Sequence, residues 1–598
     1  MRNQYRINNR PILHTTKTKP MIKRSSILFY VSMILCLFVS SNALAAPPSA
    51  GTIMTEEKQE KLQKSIDKMQ VTPPGDTVEK PPELKPAPEH VIFVKKIELA
   101  GYDSIVSLEE LNKITEPYIG KKATFTDLRH LVYDITEYLR KRSGLLLARA
   151  YLPEQDVTDG VVKIMIVPGS LDGKIKVSVT EPYRINKRLL ENMAERAVPE
   201  GEAIHVGAME RAVLLINELP GISSRAYLDK GDAPGTTKVS IDAKEGKWLT
   251  GVAYLDNFGN ESTGVFRRIA QASFGDTSHH GDKIQLMYIN SKNLNQGIAH
   301  LSFPVGDRGL FADFTCNGLH YKLGDKLENL DGDGYAITSN AGIRYPIILR
   351  RTADLWIGAG YDYFHLNDRF YDTSYSSRDI HAGSTYIKGN IYDNFFGGGL
   401  NYFLVSLNAG SVNVNAGQDL DDAGAGTNGG YFRASYLAAR LQRVNENISL
   451  LFSARGQASS CNLDTSQKII LGGPTGVRAY PVGEAASDEG NIMTFETRLD
   501  LPFMPSWLKT QLVGFYDAGY AVLHKNTWSN SVTSATGDNR YWLQGIGTGI
   551  TVGKEDLYRV QFSYAFKLGD NPGRDTSGND ADSRSDNGRF WVQGTILF

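Results

Sequence analysis

The sequence predicts a transmembrane antiparallel β-barrel of sixteen strands, preceded by two small α+β domains and a tethered helix. Three observations predict it. From about residue 247 onward, apolar and polar residues alternate in short segments. The clearest is Tyr558-Arg559-Val560-Gln561-Phe562-Ser563-Tyr564-Ala565-Phe566-Lys567, where one face is apolar and the other wet. Sixteen such segments follow one another: 249–257, 264–274, 282–291, 297–305, 309–322, 335–345, 353–364, 381–391, 399–412, 431–443, 447–457, 491–502, 509–520, 541–552, 556–568 and 589–598. An even number is what a closed bacterial barrel requires. The connections alternate in length as well. With the small domains and the C-terminus in the periplasm, the long intervals 365–380, 413–430, 458–490, 521–540 and 569–588 all fall outside, whereas GDRG, RVNEN, MPSWLK and GKED fall inside. A soluble β-sandwich is the competing reading, and it has no use for so many outward tyrosines and phenylalanines.

The N-terminus reads as an export signal over residues 1–45. Lys23 and Arg24 precede the apolar run ILFYVSMILCLFV, which is short for a membrane span, and SNALAAPP offers the small residues Ala43 and Ala45 for cleavage. Met21, after a long basic lead, is an alternative start. Across the chain 65 basic residues meet 66 acidic ones, so the charge balance gives no footprint of nucleic-acid binding. Of three cysteines, Cys36 lies in the signal, leaving Cys316 and Cys461, which form neither a disulfide framework nor a metal spacing. No later stretch reaches ~18 uninterrupted apolar residues, which excludes a membrane-crossing helix but not a barrel.

Residues 46–70 carry the helix. TEEKQEKLQKSIDKMQ, with Thr55 as its cap and Glu56 and Glu57 at its positive end, presents Leu62, Ile66 and Met69 as a narrow stripe. Residues 71–90 form a proline-rich linker long enough for the helix to reach a remote site. Two copies of one βααββ unit follow, at 91–169 and 170–246. In the first, VIFVKKIELAG reads as a strand, SLEELNKIT and TDLRHLVYDITEYLRKRSG as helices, and LLLARAYLP and GVVKIMIVPG as strands. Two helices on one face of a small sheet leave a sheet edge open, a natural dock for an extended peptide.

The stretch GGPTGVRAYPVG (472–483) lies in the sixth outer loop and sets a single arginine, Arg478, among apolar neighbours. Strand thirteen follows as QLVGFYDAGY. If Leu512, Tyr516 and Tyr520 face lipid, then Gln511, Val513, Phe515, Asp517 and Gly519 face the lumen. A carboxylate in a barrel wall calls for a cation, and a guanidinium holds it through two parallel hydrogen bonds. The expectation is that loop six folds back into the pore and Arg478 pairs with Asp517. A solvated arginine in an outer loop is the alternative from spacing alone.

These residues resemble a family. VRAY, within Gly476, Val477, Arg478 and Tyr480, is similar to the VRGY/F loop motif, and Phe515, Asp517 and Gly519 to the F-x-D-x-G strand motif, of transporters with periplasmic POTRA domains and a sixteen-stranded barrel. The order of helix, linker, two small domains and barrel resembles the two-partner secretion (TpsB) branch over essentially the whole mature chain. LARAYLPEQDVTDGVVKIMIVPG and LDNFGNESTG are similar to that branch too. The motif glycine is Ala479 here, a costly residue wherever φ is positive. The resemblance implies an outer-membrane transporter without cofactor, enzymatic activity or nucleic-acid partner, most simply a monomer. It implies recognition of a large secreted exoprotein (an adhesin, haemolysin or contact-dependent toxin) by POTRA edges at 91–246, and export of the unfolded chain through the barrel without ATP. It also implies that the helix, with Leu62, Ile66 and Met69, plugs the lumen at rest, and that loop six shapes the conduit. Phe590, Ile596 and above all Phe598 would then serve recognition by the barrel-assembly machinery.

Weaker signals add little. NLDGDGYAITSN (329–340) has Asn329, Asp331, Asp333 and Gly334 of a calcium loop but Asn340 at its twelfth position, and reads as a polar loop. His279-His280 reads as a solvated turn. The rival functions are an outer-membrane barrel-assembly factor of the same superfamily, which commonly carries more POTRA units, a passive porin, and a periplasmic binding module anchored by a barrel.

Overall fold

The structure, a computed structural model, describes residues 48–70 and 91–598 apart from Ser104 and Pro234. The expected signal peptide and proline-rich linker lie outside the described residues. The C-terminal part is a closed antiparallel barrel of sixteen strands in sequential order. Strands one to eight are Leu249–Asp256, Arg267–Gly275, Lys283–Asn290, Leu294–Val305, Leu310–Lys322, Gly332–Leu349, Ala353–Phe370 and Thr373–Asp393. Strands nine to sixteen are Gly399–Ala416, Gly429–Arg443, Ile448–Ser459, Glu489–Asp500, Lys509–Val522, Arg540–Lys554, Tyr558–Lys567 and Gly588–Leu597.

The wall is the inverse of a soluble core. Leu255, Tyr288, Phe314, Ile337, Val405, Phe495 and Phe562 are exposed on its outer face, while Asp256, Arg267, Gln296, Asp368, Arg378, Glu496 and Asp517 are buried inside. Lipid on one side and polar contents on the other explain that inversion. Strand sixteen pairs with strand one over five positions, Gln593–Leu597 against Val252–Asp256. Phe598 extends the seam, donating its N–H to Gly251 O at 3.0 Å and accepting from Gly251 N at 2.8 Å.

One of the expected outer loops is mostly strand and a second is shortened by strand at both ends. Strands seven and eight run on through 365–380 to a turn at Tyr371-Asp372, both in left-handed backbone. Strand nine likewise continues to Ala416, leaving a short helix, Gln418–Ala423, before strand ten. The inward residues of these extensions, such as Leu366, Asp368 and Ile380, still have partners inside the barrel, so pairing persists beyond the membrane. The acidic stretch 329–340 is similarly more ordered than a polar loop, because strand six begins at Gly332.

In the first small domain the expected strand 91–101 breaks at Lys95. β1 (Val91–Val94) pairs antiparallel with β3 (Lys121–Thr124), whereas β2 (Lys96–Ala100) runs parallel to β5 (Val161–Val167). Lys95 and Lys96 both donate backbone N–H groups to Gly160 O, at 2.7 and 3.2 Å, which turns the chain from one partner to the other. The helices Leu108–Thr115 and Phe125–Ser143 cover the sheet, each opened by a capping box, at Ser107/Glu110 and Thr124/Asp127. β2 and the short strand β4 (Arg149–Tyr151) are the sheet's edges. In the second domain a strand at Ile222–Lys230 pairs on one side only, with Thr236–Glu245, and exposes Tyr227 and Leu228.

The second domain packs on the near mouth of the barrel. Leu215 and Leu219 share one core with Phe311, Leu349 and Trp356 of the wall. Arg211 stacks on Tyr345 and donates to Pro346 O at 2.9 Å and to Tyr345 Oη at 3.1 Å. His279 and His280 are exposed in a turn, as expected, and His279 also borders this contact, its ring Nδ1 lying 2.7 Å from Arg184 O. Arg211→Ala should cost the docking about 1–3 kcal/mol, the worth of charge-assisted hydrogen bonds and a stacked cation. The expected outcome is faster amide exchange in Val206–Asn217 with barrel exchange unchanged.

Candidate functional site: the barrel lumen

Helix α1 (Ala50–Asp67) lies inside the barrel. It starts five residues before the expected Thr55 cap, with Ser49 as the N-cap accepting from Thr52 N. The anion at its positive end is not Glu56 or Glu57 but Asp368 of the wall, which accepts from Ala50 N at 3.0 Å. Lower down, Glu57 accepts from Gln296 at 2.6 Å and Asn317 at 3.0 Å, and Glu60 from Arg267 at 2.7 Å. Arg267 is also paired with Asp256 through bonds of 2.9 and 3.1 Å. Of the expected stripe, Ile66 and Met69 are buried against Leu400, Leu437, Leu441 and Leu451, and Leu62 flanks them. Met69 lies just beyond the helix end. Between the helix, loop six and the inner faces of strands one and twelve to sixteen a cavity of about 190 Å³ remains, lined by Lys64, Asp67, Arg498, Gln511, Arg559 and Gln593 among others.

Loop six folds back into the lumen. Arg478 donates through Nε and Nη2 to the two oxygens of Asp517, both at 2.8 Å, and through its backbone N–H at 3.2 Å. Thr494 adds a fourth bond to Asp517 at 2.9 Å. The guanidinium lies on the Phe515 ring, 3.4 Å from its centroid. Asp517 is fully buried, so the pair is shielded from water, where such bonds are strongest and their loss costliest.

The other motif residues shape the approach. Gly476 has Leu471 O where a Cβ would stand, at 2.1 Å, and a Cβ at Gly519 would lie 2.9 Å from Val477 Cγ2. Tyr480 is buried among Leu471, Val477, Leu543 and Ala565. Ala479 requires no positive φ. Phe590, Ile596 and Phe598 point outward and are exposed, away from this site.

Sequence reasoning missed two partners. Glu496 accepts from Arg478 Nη1 at 2.8 Å and from Arg498 at 2.9 and 2.7 Å. Trp591 donates to Arg478 O at 2.8 Å. The signal for Glu496 was present: Met493, Phe495 and Leu499 alternate outward in strand twelve, which sends Thr494, Glu496 and Arg498 inward.

Toward the outside, Glu484 of loop six is buried against loop eight, the last outer loop between strands fifteen and sixteen, where it accepts from Ala581 N at 2.8 Å. Burial, then the Asp580 carboxylate, pushes its carboxyl up to about 7. A raised carboxyl pKa penalises the folded, ionised form. The contact is therefore firmest below about pH 4.5 and weakens as the pH rises through 7. Between pH 5 and 8, the protection of amides in loops six and eight relative to their intrinsic exchange rate at each pH should fall, and Glu484→Gln should flatten that profile. For the arginine pair, Asp517→Ala removes the carboxylate that holds Arg478 through three bonds and leaves it only Glu496, shared with Arg498, so it should cost up to about 3–5 kcal/mol and expose loop six to protease.

Comparison with known proteins fits this architecture. Residues 92–169 match the profile of the POTRA domain, ShlB-type, and residues 405–580 that of the Omp85 superfamily domain. The heme/hemopexin transporter protein HuxB of Haemophilus influenzae (strain 86-028NP) is 28% identical over 480 residues, covering 78% of this chain and 82% of that one. The outer membrane transporter CdiB of Escherichia coli O6:K15:H31 is 22% identical over 520 residues, covering 83% and 85%. The solved structure of CdiB from Escherichia coli shares the fold at a TM-score of 0.70 and 20% identity, over 92% of this chain and 100% of that one. With a ShlB-type POTRA domain, an Omp85 superfamily domain and a sixteen-stranded barrel in one chain, the protein is homologous to outer-membrane transporters of two-partner secretion such as HuxB and CdiB.

Proposed function

We propose that this transporter takes a large, unfolded secreted protein at its periplasmic domains and passes it through the barrel to the cell surface, with α1 as the resting plug. The observation that carries the reading is a polar lumen wide enough to hold a whole helix, and a helix held there by side-chain contacts rather than by the barrel's own covalent loops. HuxB is a heme/hemopexin transporter by name and CdiB an outer membrane transporter. By analogy, the cargo here is an exoprotein of the adhesin, haemolysin or contact-dependent toxin kind.

The open edges receive it. β2 in the first domain, and Ile222–Lys230 in the second, offer unpaired backbone groups to an extended chain. Helix withdrawal clears the conduit, and folding of the cargo outside biases the direction without a nucleotide. Loop six, fixed by Arg478 to Asp517 and Glu496, keeps one side of the conduit in shape. The outward Phe598 serves delivery to the barrel-assembly machinery.

Deleting residues 50–67 should raise the single-channel conductance of the protein in lipid bilayers severalfold while leaving the barrel folded. Deleting 91–246 should abolish cargo export without closing the pore. A chain that exports normally without its periplasmic domains, or a pore that conducts fully with α1 in place, would return the reading to a passive porin.

A further inference from the structure

We infer that Arg378 is the positioning residue of a second latch, which ties the outer end of α1 to the start of loop six and so couples helix withdrawal to movement of that loop. The inference rests on the reading of α1 as a plug.

Arg378 projects inward from strand eight and is 5% exposed. It donates through Nη1 to Asp368 at 3.0 Å, through Nη2 to the Thr465 hydroxyl at 3.1 Å, and through Nε to Asp464. Its two carboxylates belong to different masters. Asp368 accepts the first helical N–H of α1, from Ala50, and is further held by Tyr321 Oη at 2.7 Å. Asp464 and Thr465 open loop six. Thr465 also grips the helix directly: its carbonyl accepts from Thr55 Oγ1 at 3.0 Å, and its hydroxyl lies 3.0 Å from Ser49 Oγ. At Gly51 a Cβ would stand 2.3 Å from Thr465 Oγ1, so the helix backbone meets the loop with no side chain between them.

One guanidinium thus neutralises two buried carboxylates, one capping the helix and one anchoring the loop. Without it they would face each other uncompensated. This junction stands apart from the lock at Arg478, which holds the other part of the same loop to strands twelve and thirteen. The two should separate by mutation. Loss of Arg378 frees the helix but leaves the loop tip seated; loss of Asp517 unseats the tip.

The test uses the full chain in planar lipid bilayers, with the 50–67 deletion as the open reference. Arg378→Gln and the milder, isosteric Asp464→Asn should each raise the time spent at the open level about tenfold or more. Protease resistance around Arg478 should stay at the parent value. In a second arm, Ser49→Cys with Thr465→Cys, in a Cys316→Ser/Cys461→Ser background, joins helix to loop when oxidised. Openings and export should then cease and return with reductant. The latch is overturned if both variants gate like the parent, if Arg378→Gln loosens the loop tip as Asp517→Ala does, or if the oxidised pair still exports. A deletion of 50–67 that leaves conductance unchanged defeats the plug reading instead. In that case the export arm alone decides the latch, since oxidation either stops the cargo or does not.

Discussion

A sheet that crosses hydrocarbon can have no free edge, because an unpaired N–H or C=O there costs several kcal/mol. Everything in this molecule is arranged around that closure. It is made where the strands are shortest: strands one to three have eight or nine residues, strands fifteen and sixteen ten each, and strands six to nine on the opposite side eighteen to twenty-one. The seam is therefore poor in backbone pairing and is reinforced by side chains. Asn257 donates to Phe590 O at 3.0 Å and accepts from Val592 N at 2.8 Å, and Gln593 reaches Asp256 at 3.3 Å. Trp591 then joins strand sixteen to the backbone of loop six. Loop six is thus a strut for the seam as well as an occupant of the lumen.

Closing the wall around an inward polar face creates the second constraint. Arg267, Arg378 and Glu496 could not stay inside without counter-charges. The wall supplies one for each, Asp256, Asp368 and Arg498, and the lumen contents add a second: Glu60 from the helix, Asp464 from the start of loop six, Arg478 from its tip. This is why α1 is a polar helix with only a short apolar stripe. Its first turns place Ala50 and Ile53 in an apolar cluster with Leu319, Leu366 and Leu463, its middle faces carboxamides, carboxylates and guanidinium groups, and its C-terminal end meets leucines again. A helix held mainly by paired polar groups can be exchanged for another hydrated chain at modest net cost, whereas one set in a dry apolar core could not.

How far the sequence could be read follows from the same physics. The sixteen strands were legible because lipid outside and water inside impose a period of two on every crossing. Where strands seven and eight rise above the membrane, both faces meet polar or mixed surroundings, the alternation fades, and 365–380 reads as loop. The start of α1 was hidden because Asp368, the group that satisfies its first N–H, lies 318 residues away in the chain. The break at Lys95 was hidden for a related reason, since Gly160 O enforces it from a distant turn. The pair of Arg478 with Asp517 was legible, because each alone is an anomaly: a cation among apolar loop residues and a carboxylate in a wall. Glu496 could have been found by the same parity argument.

Ala479 shows what the loop motif demands. The loop tip lies so close to strand fourteen that a Cβ on Gly545 would stand 2.6 Å from that of Ala479. Only one of the two positions can carry a methyl group, and here the loop carries it while the wall does not. Because the backbone at 479 is not left-handed, nothing about its conformation asks for glycine. The requirement is a close approach between two backbones, close enough for the guanidinium one residue earlier to reach Asp517 without stretching. A single absent side chain satisfies that requirement from either side of the contact. At this contact the methyl group stands on the loop, at Ala479, and the glycine on the wall, at Gly545.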